Sequence, residues 1–258
     1  MTSHKAQGPR PNEEEERPKA ECSIPKVEKE DRVFDRGSGN RLTTHDLARY
    51  PSDSLFDTLA RAVCEAGCLP RKELYEAWEV ARRVRRLFRG GRVLDLAGGH
   101  GLLAHALLLL DDSSPAAVVV DTAVPASASK LHDALVGRWP RLQGRVTFVN
   151  GRMEDVAVGG GDLVVSCHAC GPLTDQVLAR AVSGRARVAV LPCCHDAKTC
   201  DSGSLTGWLD SALAIDVGRV TRIEGHGYRV WTQRIPTDVT PKNRLLLAAP
   251  LPAEGPAS

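Results

Sequence analysis

The sequence lacks an apolar run long enough to cross a bilayer. Its longest such run beside a predicted helix is LLAHALLLL at 102–110, whereas a spanning helix needs about 20 residues. The first residues, MTSHKAQGPRPNEEEERPKAE, contain neither an apolar core nor a small-residue cleavage site, so they do not resemble a secretory signal. No internal repeat is found either. We therefore expect an intracellular, cytoplasmic protein with no membrane partner.

A regular cysteine framework and a strong net charge are also missing. The eight cysteines are irregularly spaced, and in a reducing compartment they are expected to be thiols or metal ligands rather than disulfides. A formal charge of +2 gives no preference for a partner. What the sequence does contain is 258 residues with 42% hydrophobic content, enough to bury a full core in one domain with an extension.

The N-terminal third divides into two segments. Residues 1–31 are rich in Pro, Glu, Lys and Arg and nearly free of aliphatic residues, which predicts a disordered tail. Residues 32–89 are predicted to be helical, with a helix between Ser52 and Gly67 and a longer one from Pro70. The longer helix carries arginines at 82, 83, 85, 86 and 89. A solvated face is the favoured interpretation, and a phosphate-binding stripe is the alternative.

From residue 90 onward, strands and helices alternate. Short aliphatic runs predict strands at 92–96, 117–121, 145–150, 162–166 and 187–192. Helices are predicted at 101–110, 125–138, 172–183 and 203–214, two of them begun by Pro125 and Pro172. Two last strands, 228–236 and 243–249, follow without a full helix between them. This pattern predicts an α/β fold with a parallel doubly wound sheet and an antiparallel ending.

The stretch VLDLAGGHGLLAHAL at 93–107 predicts a strand, a glycine-rich turn and a helix, which together suit nucleotide binding. Gly99, Gly101 and Ala104 fit the dinucleotide spacing, and Asp121 lies 20 residues after Gly101. A nicotinamide-dependent reductase is therefore one alternative. However, Asp95 precedes the turn, where its carboxylate would repel a pyrophosphate and attract a cation. The turn is better suited to a ligand with an amino group and no phosphates.

The motif DLAGGHG resembles the first motif of class I S-adenosylmethionine-dependent methyltransferases, and Asp121 resembles their ribose-binding acid. The resemblance implies a Rossmann-like seven-stranded sheet with an antiparallel last strand, a methyltransferase domain over residues 90–252, and S-adenosylmethionine as cofactor. The cofactor-binding residues that it implies are Asp95, Ala97, Gly98, Gly99, Gly101, Asp121, Met153, Glu154 and Ser166. Ala97 stands where the family usually has its first glycine. A non-catalytic cofactor-binding or scaffold protein therefore remains an alternative.

A narrower resemblance involves HACGPLTD at 168–175 and CCH at 193–195. These motifs are similar to those of a subgroup that includes acceptor-stem tRNA 2′-O-methyltransferases and methyltransferase-like proteins with a glutathione-transferase-like segment. The zinc-finger segments that the tRNA enzymes carry upstream are absent from this sequence. The resemblance implies RNA, such as tRNA, or a small molecule as methyl acceptor, and no DNA.

The cysteines and histidines of these two motifs follow predicted neighbouring strands, so they should share one crevice. Zinc could be held by Cys167, Cys170, Cys193 and His195, but their spacing is unusual for zinc, and we expect no metal. A cysteine nucleophile is a further alternative, although methyl transfer needs no covalent intermediate.

The favoured interpretation is a lining of small residues beside a base. His168, and secondly His195, would take the proton of the acceptor, with a structural hydrogen bond as the alternative role. Cys170, Lys242 and Arg244 are expected to contact substrate. A charged hairpin rim is the commoner explanation for Lys242 and Arg244.

Overall fold

The computed structural model describes residues 41–252, which all belong to one compact unit. The tail predicted over 1–31 and the first residues of the segment 32–89 lie outside the described residues. The domain limits at 31, 89 and 252 therefore stay predictions. No helix in the described part of the chain is long and apolar enough to cross a membrane.

Seven strands and six α-helices are present in the described residues. The helices are α1 (Leu55–Ala66), α2 (Arg71–Leu87), α3 (Leu102–Leu110), α4 (Ala128–Arg138), α5 (Pro172–Ser183) and α6 (Ser211–Gly225). The strands are β1 (Val93–Leu96), β2 (Ala117–Asp121), β3 (Val146–Asn150), β4 (Leu163–Ser166), β5 (Arg187–Val190), β6 (Tyr228–Arg234) and β7 (Arg244–Pro250). Short 3₁₀ turns occur at Thr44–Arg49, Pro140–Leu142, Met153–Asp155 and Leu205–Gly207.

The strands form a single mixed sheet in the order β3-β2-β1-β4-β5-β7-β6. The first five strands are parallel, whereas β7 runs antiparallel to both β5 and β6. The predicted seven-stranded α/β sheet with a reversed ending is thus confirmed. Because β1 has β2 on one side and β4 on the other, the chain reverses direction across the sheet at β1. Open α/β sheets bind ligands at such a point, beyond the carboxyl ends of the strands.

Two helices precede the sheet and cover it. Ser54 caps α1 by accepting a hydrogen bond from the Asp57 backbone, and Gly67 ends the helix at a φ of 64°. Pro70 is the N-cap residue of α2. Helix α1 packs against α4, and α2 packs against α3. The apolar stripes of α1 and α2 therefore join the core above one face of the sheet.

The arginine-rich face of α2 is only partly free in the structure. Arg82 and Arg83 both form ion pairs with Glu79 on the same helix. Arg85 is buried, where it pairs with Asp111 at 3.2 Å and donates to the Ser114 hydroxyl at 2.9 Å. Arg89 also lies 3.7 Å from Asp111. Four of the five arginines that were candidates for a phosphate-binding stripe therefore already have partners within the chain.

The predicted helix at 203–214 is wrong in its bounds. The structure has a 3₁₀ turn at Leu205–Gly207, and α6 begins only at Ser211, where Asp210 accepts from the Leu213 backbone. The helix then continues to Gly225. Arg219 lies on its buried face and interrupts the apolar period that would have marked the helix in the sequence. Pro125, expected to begin a helix, instead lies in the turn before α4.

Candidate active site

A cavity of about 400 Å³ opens at the carboxyl ends of the central strands. Its lining consists of Glu73, Ala97, Gly98, Gly99, His100, Val120, Asp121, Thr122, Gly151, Met153, His168 and Leu173. A small recess of about 20 Å³ continues beneath it, beside Asp95, Leu102 and Cys167. The cavity lies where β1 meets β2 and β4, and its volume is within the range typical of small-molecule sites.

The glycine-rich turn forms the floor of this cavity. A Cβ at Gly98 would lie 2.8 Å from both the Asp95 carboxyl carbon and a Val119 methyl, so only glycine fits there. Gly101 has a φ of 73°, and its added Cβ would lie 2.8 Å from Val119. Ala97 has a φ of 56°, a left-handed backbone conformation that costs free energy for any residue with a Cβ. The alanine at the usual glycine position therefore keeps a glycine-like backbone.

Asp121 connects the end of β2 to the glycine-rich turn. One carboxylate oxygen accepts a hydrogen bond from the Gly99 backbone at 3.0 Å, and the other accepts from the Ala123 backbone at 3.0 Å. Each oxygen retains a further lone pair. Because Asp121 also lines the cavity, these lone pairs are available to hydroxyl donors of a ligand.

Asp95 lies beneath the turn, 1% exposed. Its carboxylate accepts from the Ala104 backbone at 3.3 Å. Burial raises the pKa of Asp95 to about 7, the hydrogen bond from Ala104 lowers it, and the charge of Asp121 raises it further. A cation placed in the recess beside Asp95 would favour the ionised carboxylate.

The loop after β4 brings His168 to the cavity. The imidazole is exposed and lines the cavity together with Leu173. Ser166, predicted to contact the cofactor, is instead buried, and its hydroxyl accepts from the Ala169 backbone at 3.3 Å. Thr174 donates to the Ala169 carbonyl. Two hydroxyls of the motif therefore hold the loop that presents His168.

Behind this loop lies a buried ionic network centred on Arg219, whose side chain has 0% exposure. Its guanidinium donates to Asp175 at 2.8 and 3.2 Å, to Asp216 at 3.2 Å, and to the Gly171 carbonyl at 2.9 Å. Burial alone would lower the pKa of Arg219, but Asp175 and Asp216 more than offset that and raise it. The network ties α6 to the loop after β4.

His195 and Arg244 join the same network rather than the cavity. The His195 Nε2 lies 2.7 Å from an Asp216 carboxylate oxygen, and its side chain is 2% exposed. Arg244 donates to the other Asp216 oxygen at 2.6 Å. Burial would raise the pKa of Asp216, but the hydrogen bonds from these two side chains hold it below its usual value. The structure therefore places His195 and Arg244 on either oxygen of the Asp216 carboxylate.

Two further predicted residues lie away from the cavity lining. Glu154 forms an exposed ion pair with Arg152 at 3.3 Å, although its neighbour Met153 does line the cavity. Lys242 is exposed in the turn before β7, where its backbone donates to the Thr240 hydroxyl. Neither residue is among those that line the cavity or the recess.

The four cysteine and histidine ligands proposed for zinc are not brought together. Cys167 is buried, and burial raises its pKa well above the usual value. His195 is engaged by Asp216. Among the described residues, the structure groups Cys170, Cys193 and Cys194 instead, with their Sγ atoms within 4.8 Å of one another.

Several lining residues were missed from the sequence. Glu73, in the first turn of α2, faces both the cavity and the recess, and Thr122 and Leu173 complete the rim. His100 lines the cavity with its Nε2 2.8 Å from the Ser127 hydroxyl, and burial lowers its pKa. Glu73 carries no motif of its own, so only the packing of α2 over the sheet reveals it.

The sequence was compared with families of known proteins. Residues 72–201 match a family described as a methyltransferase domain, Methyltransf_32. The match includes the glycine-rich turn, Asp121, His168 and the cysteines of both motifs. No curated protein matches the sequence.

Several solved structures are similar to the chain at low sequence identity. The pyocyanin biosynthetic protein PhzM is 21% identical with a TM-score of 0.45, over 80% of this chain and 61% of its own. The S-adenosylmethionine-dependent methyltransferase SibL is 17% identical with a TM-score of 0.47, over 81% of this chain and 66% of its own. A ribosomal protein L11 methylase from Lactobacillus delbrueckii subsp. bulgaricus is 11% identical with a TM-score of 0.44, over 70% and 78%.

The chain thus spans less than two thirds of the length of PhzM. The family match, by contrast, includes half of the present chain and every element that surrounds the cavity from α2 to the loop after β5. The chain belongs to the methyltransferase domain family.

Proposed function

We propose that the chain is a cytoplasmic S-adenosylmethionine-dependent methyltransferase acting on RNA or on a small molecule. The observation that carries the proposal is the cavity itself, which is lined by the glycine-rich turn and by Asp121. The cofactor supplies a methyl group on a positively charged sulfur. Family membership favours this activity over the nicotinamide-dependent reductase that the glycine spacing also allowed.

The residues present fit such a cofactor. At Gly98 a Cβ would clash with Asp95 and Val119, so glycine lets the turn pack closely against β1 and β2, and Gly99 holds Asp121 in place through its backbone N–H. Asp121 would bind the ribose hydroxyls through its remaining lone pairs. Met153 would pack against the adenine. Asp95 in the recess would face the positively charged amino-acid end of the cofactor.

The acidic side of the cavity fits the same orientation. Glu73 and Asp95 both border the small recess, where they would attract a cation and repel the phosphates of a dinucleotide. Glu73 also lines the larger cavity, so α2 covers the ligand space from above. The helical segment before the sheet would then act as a cover for the bound cofactor and acceptor.

His168 is the residue proposed to assist the transfer. Its imidazole lines the cavity on an exposed loop, where an acceptor hydroxyl or amine could reach it. Most of the rate enhancement would come from holding the acceptor in line with the methyl group, because the reaction needs no covalent intermediate. His168 would accept the proton that the acceptor loses.

The non-catalytic alternative rests on Ala97. Its φ of 56° shows that the turn retains the shape that glycine would give. Ala97 is among the residues that line the open cavity. We therefore propose that the chain binds its cofactor and turns it over. A chain that binds S-adenosylmethionine and methylates neither RNA nor a small molecule would support the scaffold alternative instead.

The test of cofactor binding is the Asp121→Ala variant. Loss of two charge-assisted hydrogen bonds to ribose should weaken S-adenosylhomocysteine binding by about 1.5 to 3 kcal/mol, measured by calorimetry. Asp155→Ala is a suitable control, because Asp155 lies in the neighbouring 3₁₀ turn outside the cavity lining. Unchanged affinity in a folded Asp121→Ala variant would contradict the assignment. Stabilisation by NAD but not by S-adenosylhomocysteine in a melting assay would favour a reductase.

The test of the base is His168→Ala. This variant should keep its affinity for S-adenosylhomocysteine but lower kcat by about 10²-fold or more. Full activity would assign His168 a structural role. The acceptor class can be separated by salt, because RNA bound through phosphates should lose affinity steeply as salt rises. A salt-independent or absent RNA interaction would favour a small molecule.

A further inference from the structure

The thiols of Cys170, Cys193 and Cys194 lie together on two loops beside the cavity. Their Sγ atoms are all within 4.8 Å of one another, and the Sγ atoms of Cys170 and Cys193 are 2.8 Å apart. Cys170 and Cys194 are exposed, and Cys193 is partly exposed. A metal ion could therefore reach them from solvent.

The loops that carry these thiols are fixed in position. The Gly171 backbone donates to the Cys194 carbonyl at 3.3 Å, which joins the two loops directly. The Gly171 carbonyl accepts from the buried Arg219, and His195, next to Cys194, is held by Asp216. The three thiols are consequently brought together by buried contacts on both sides, rather than by chance on two free loops.

We propose that Cys170, Cys193 and Cys194 bind one zinc ion and leave its fourth position open. Tetrahedral zinc with sulfur ligands at about 2.3 Å places neighbouring sulfurs about 3.8 Å apart. The observed group needs only a movement of about 1 Å between Cys170 and Cys193 to reach that geometry. Binding displaces the three thiol protons to solvent, so the ion is held by three thiolates.

The open position follows from the ligand count. In the described part of the chain, no fourth His, Cys, Asp or Glu atom belongs to this group. Three protein ligands with an exchangeable position are typical of zinc sites that act on a bound water or substrate. Cys170 lies between His168 and Leu173, which both line the cavity. A thiol or hydroxyl bound to the metal would thus be next to the proposed acceptor space.

The spacing that disfavoured zinc in the sequence was that of a different set of four ligands, which included Cys167 and His195. The structure removes both from consideration, since Cys167 is buried and His195 is bonded to Asp216. A disulfide between Cys170 and Cys193 is the competing use of these thiols. It would involve two of the three sulfurs and an external oxidant.

The experiment measures zinc in the full chain after expression with added zinc and purification under reducing conditions. We expect about one zinc per chain, and a loss to below about one tenth in Cys170→Ser and in Cys194→Ser. Both cysteines are exposed, so these variants should fold, as circular dichroism would show. Cys64→Ala is the matched control, because Cys64 is buried in α1 and should not alter zinc content.

Cobalt provides a second measurement that does not depend on activity or on S-adenosylmethionine. The cobalt-loaded chain should show a thiolate-to-metal absorption band that both serine variants lose. Addition of 2-mercaptoethanol should strengthen the band if the fourth position is open. Less than about one tenth zinc per chain, or equal zinc in the variants and in the parent, would overturn the site. Isolation of the chain with a disulfide between Cys170 and Cys193 would also overturn it.

Discussion

The two halves of the ligand edge are built by different physical means. Beyond β1 and β2, the segment is held mainly by backbone groups: the Gly99 and Ala123 N–H groups donate to Asp121, and a glycine packs against Asp95. Beyond β4 and β5, the segment is held by buried charges, because Arg219 donates to both Asp175 and the Gly171 carbonyl. The first half is a local turn, whereas the second depends on a helix that follows it by about 40 residues.

The cofactor half provides the shape of the binding site, whereas the buried ions of the other half stabilise the loops that carry its side chains. The cofactor half offers lone pairs and empty space to a ligand, so its residues can be replaced with little effect on the fold if their shape is kept. The thiol-bearing half presents His168 and the cysteines on loops held from behind by ions. Substitutions in the ionic network should therefore reduce stability, whereas loss of the Asp121 carboxylate should affect ligand binding first.

The largest expected effect is that of Arg219→Met. The substitution leaves Asp175, Asp216 and the Gly171 carbonyl without their buried donor, and removal of one member of a buried ionic group costs about 3 to 5 kcal/mol. We expect about 3 kcal/mol less free energy of unfolding in urea, because Arg222 and Arg244 continue to pair with the two carboxylates. His168 should also lose its fixed position.

Arg222→Met provides the matched control. Arg222 pairs with the same Asp175 at 2.7 Å and with Asp201 at 2.9 Å, but it lies at the surface. Exposed ion pairs contribute about 0 to 1 kcal/mol, so this variant should remain close to the parent. Equal losses in the two variants would mean that burial of Arg219 does not set the stability of this half.

The same contrast explains what the sequence could predict. The order of strands and helices, the glycine-rich turn and Asp121 are local patterns, and the structure contains them within a few residues of their predicted positions. Helix α6 was predicted at 203–214, and its true continuation to Gly225 was missed because the buried face there includes the charged Arg219. The contacts of His195 and Arg244 with Asp216 could not be predicted, since Asp216 comes from a distant segment.

The thiol group shows the same limit. Spacing along the chain joined Cys167 with Cys170, yet strand geometry places one inside the core and the other at the surface. Glu73 was missed for a related reason, because its place over the recess comes from the packing of α2 against α3. Site residues within one contiguous motif could be predicted from the sequence. Groups of side chains that come together from different segments of the chain could not.

The second prediction uses the buried carboxyl of the cofactor half. Burial raises the pKa of Asp95 to about 7 in the folded chain, whereas an unfolded Asp titrates near 3.9. Its contribution to stability is complete below about pH 4 and is lost as the pH rises through about 7. Asp95→Asn stays neutral, so its free energy of unfolding relative to the parent should rise by about 2 to 3 kcal/mol between pH 5 and pH 8.

Asp53→Asn serves as the control, because Asp53 is fully exposed and its substitution should change stability little at either pH. Urea unfolding at both pH values measures the difference. A constant gap between Asp95→Asn and the parent would contradict the raised pKa. At pH 8 the more stable Asn variant should bind S-adenosylhomocysteine more weakly, since it lacks the carboxylate proposed to face the amino group of the cofactor.

The smallest expected effect is at Ala97, where the cofactor half departs from the usual glycine. A left-handed backbone costs a non-glycine residue about 1 to 2 kcal/mol in the folded state. Glycine removes this cost but stabilises the unfolded chain by about 0.5 to 1 kcal/mol through its greater conformational entropy. Ala97→Gly should therefore raise the free energy of unfolding by up to about 1 kcal/mol. Ala106→Gly in α3, a buried helical position, should instead lower it by about 1 kcal/mol. If both substitutions destabilise the chain equally, the turn does not carry the strain that a φ of 56° implies. Because only a methyl group is removed, S-adenosylhomocysteine affinity in Ala97→Gly should stay equal to that of the parent or increase.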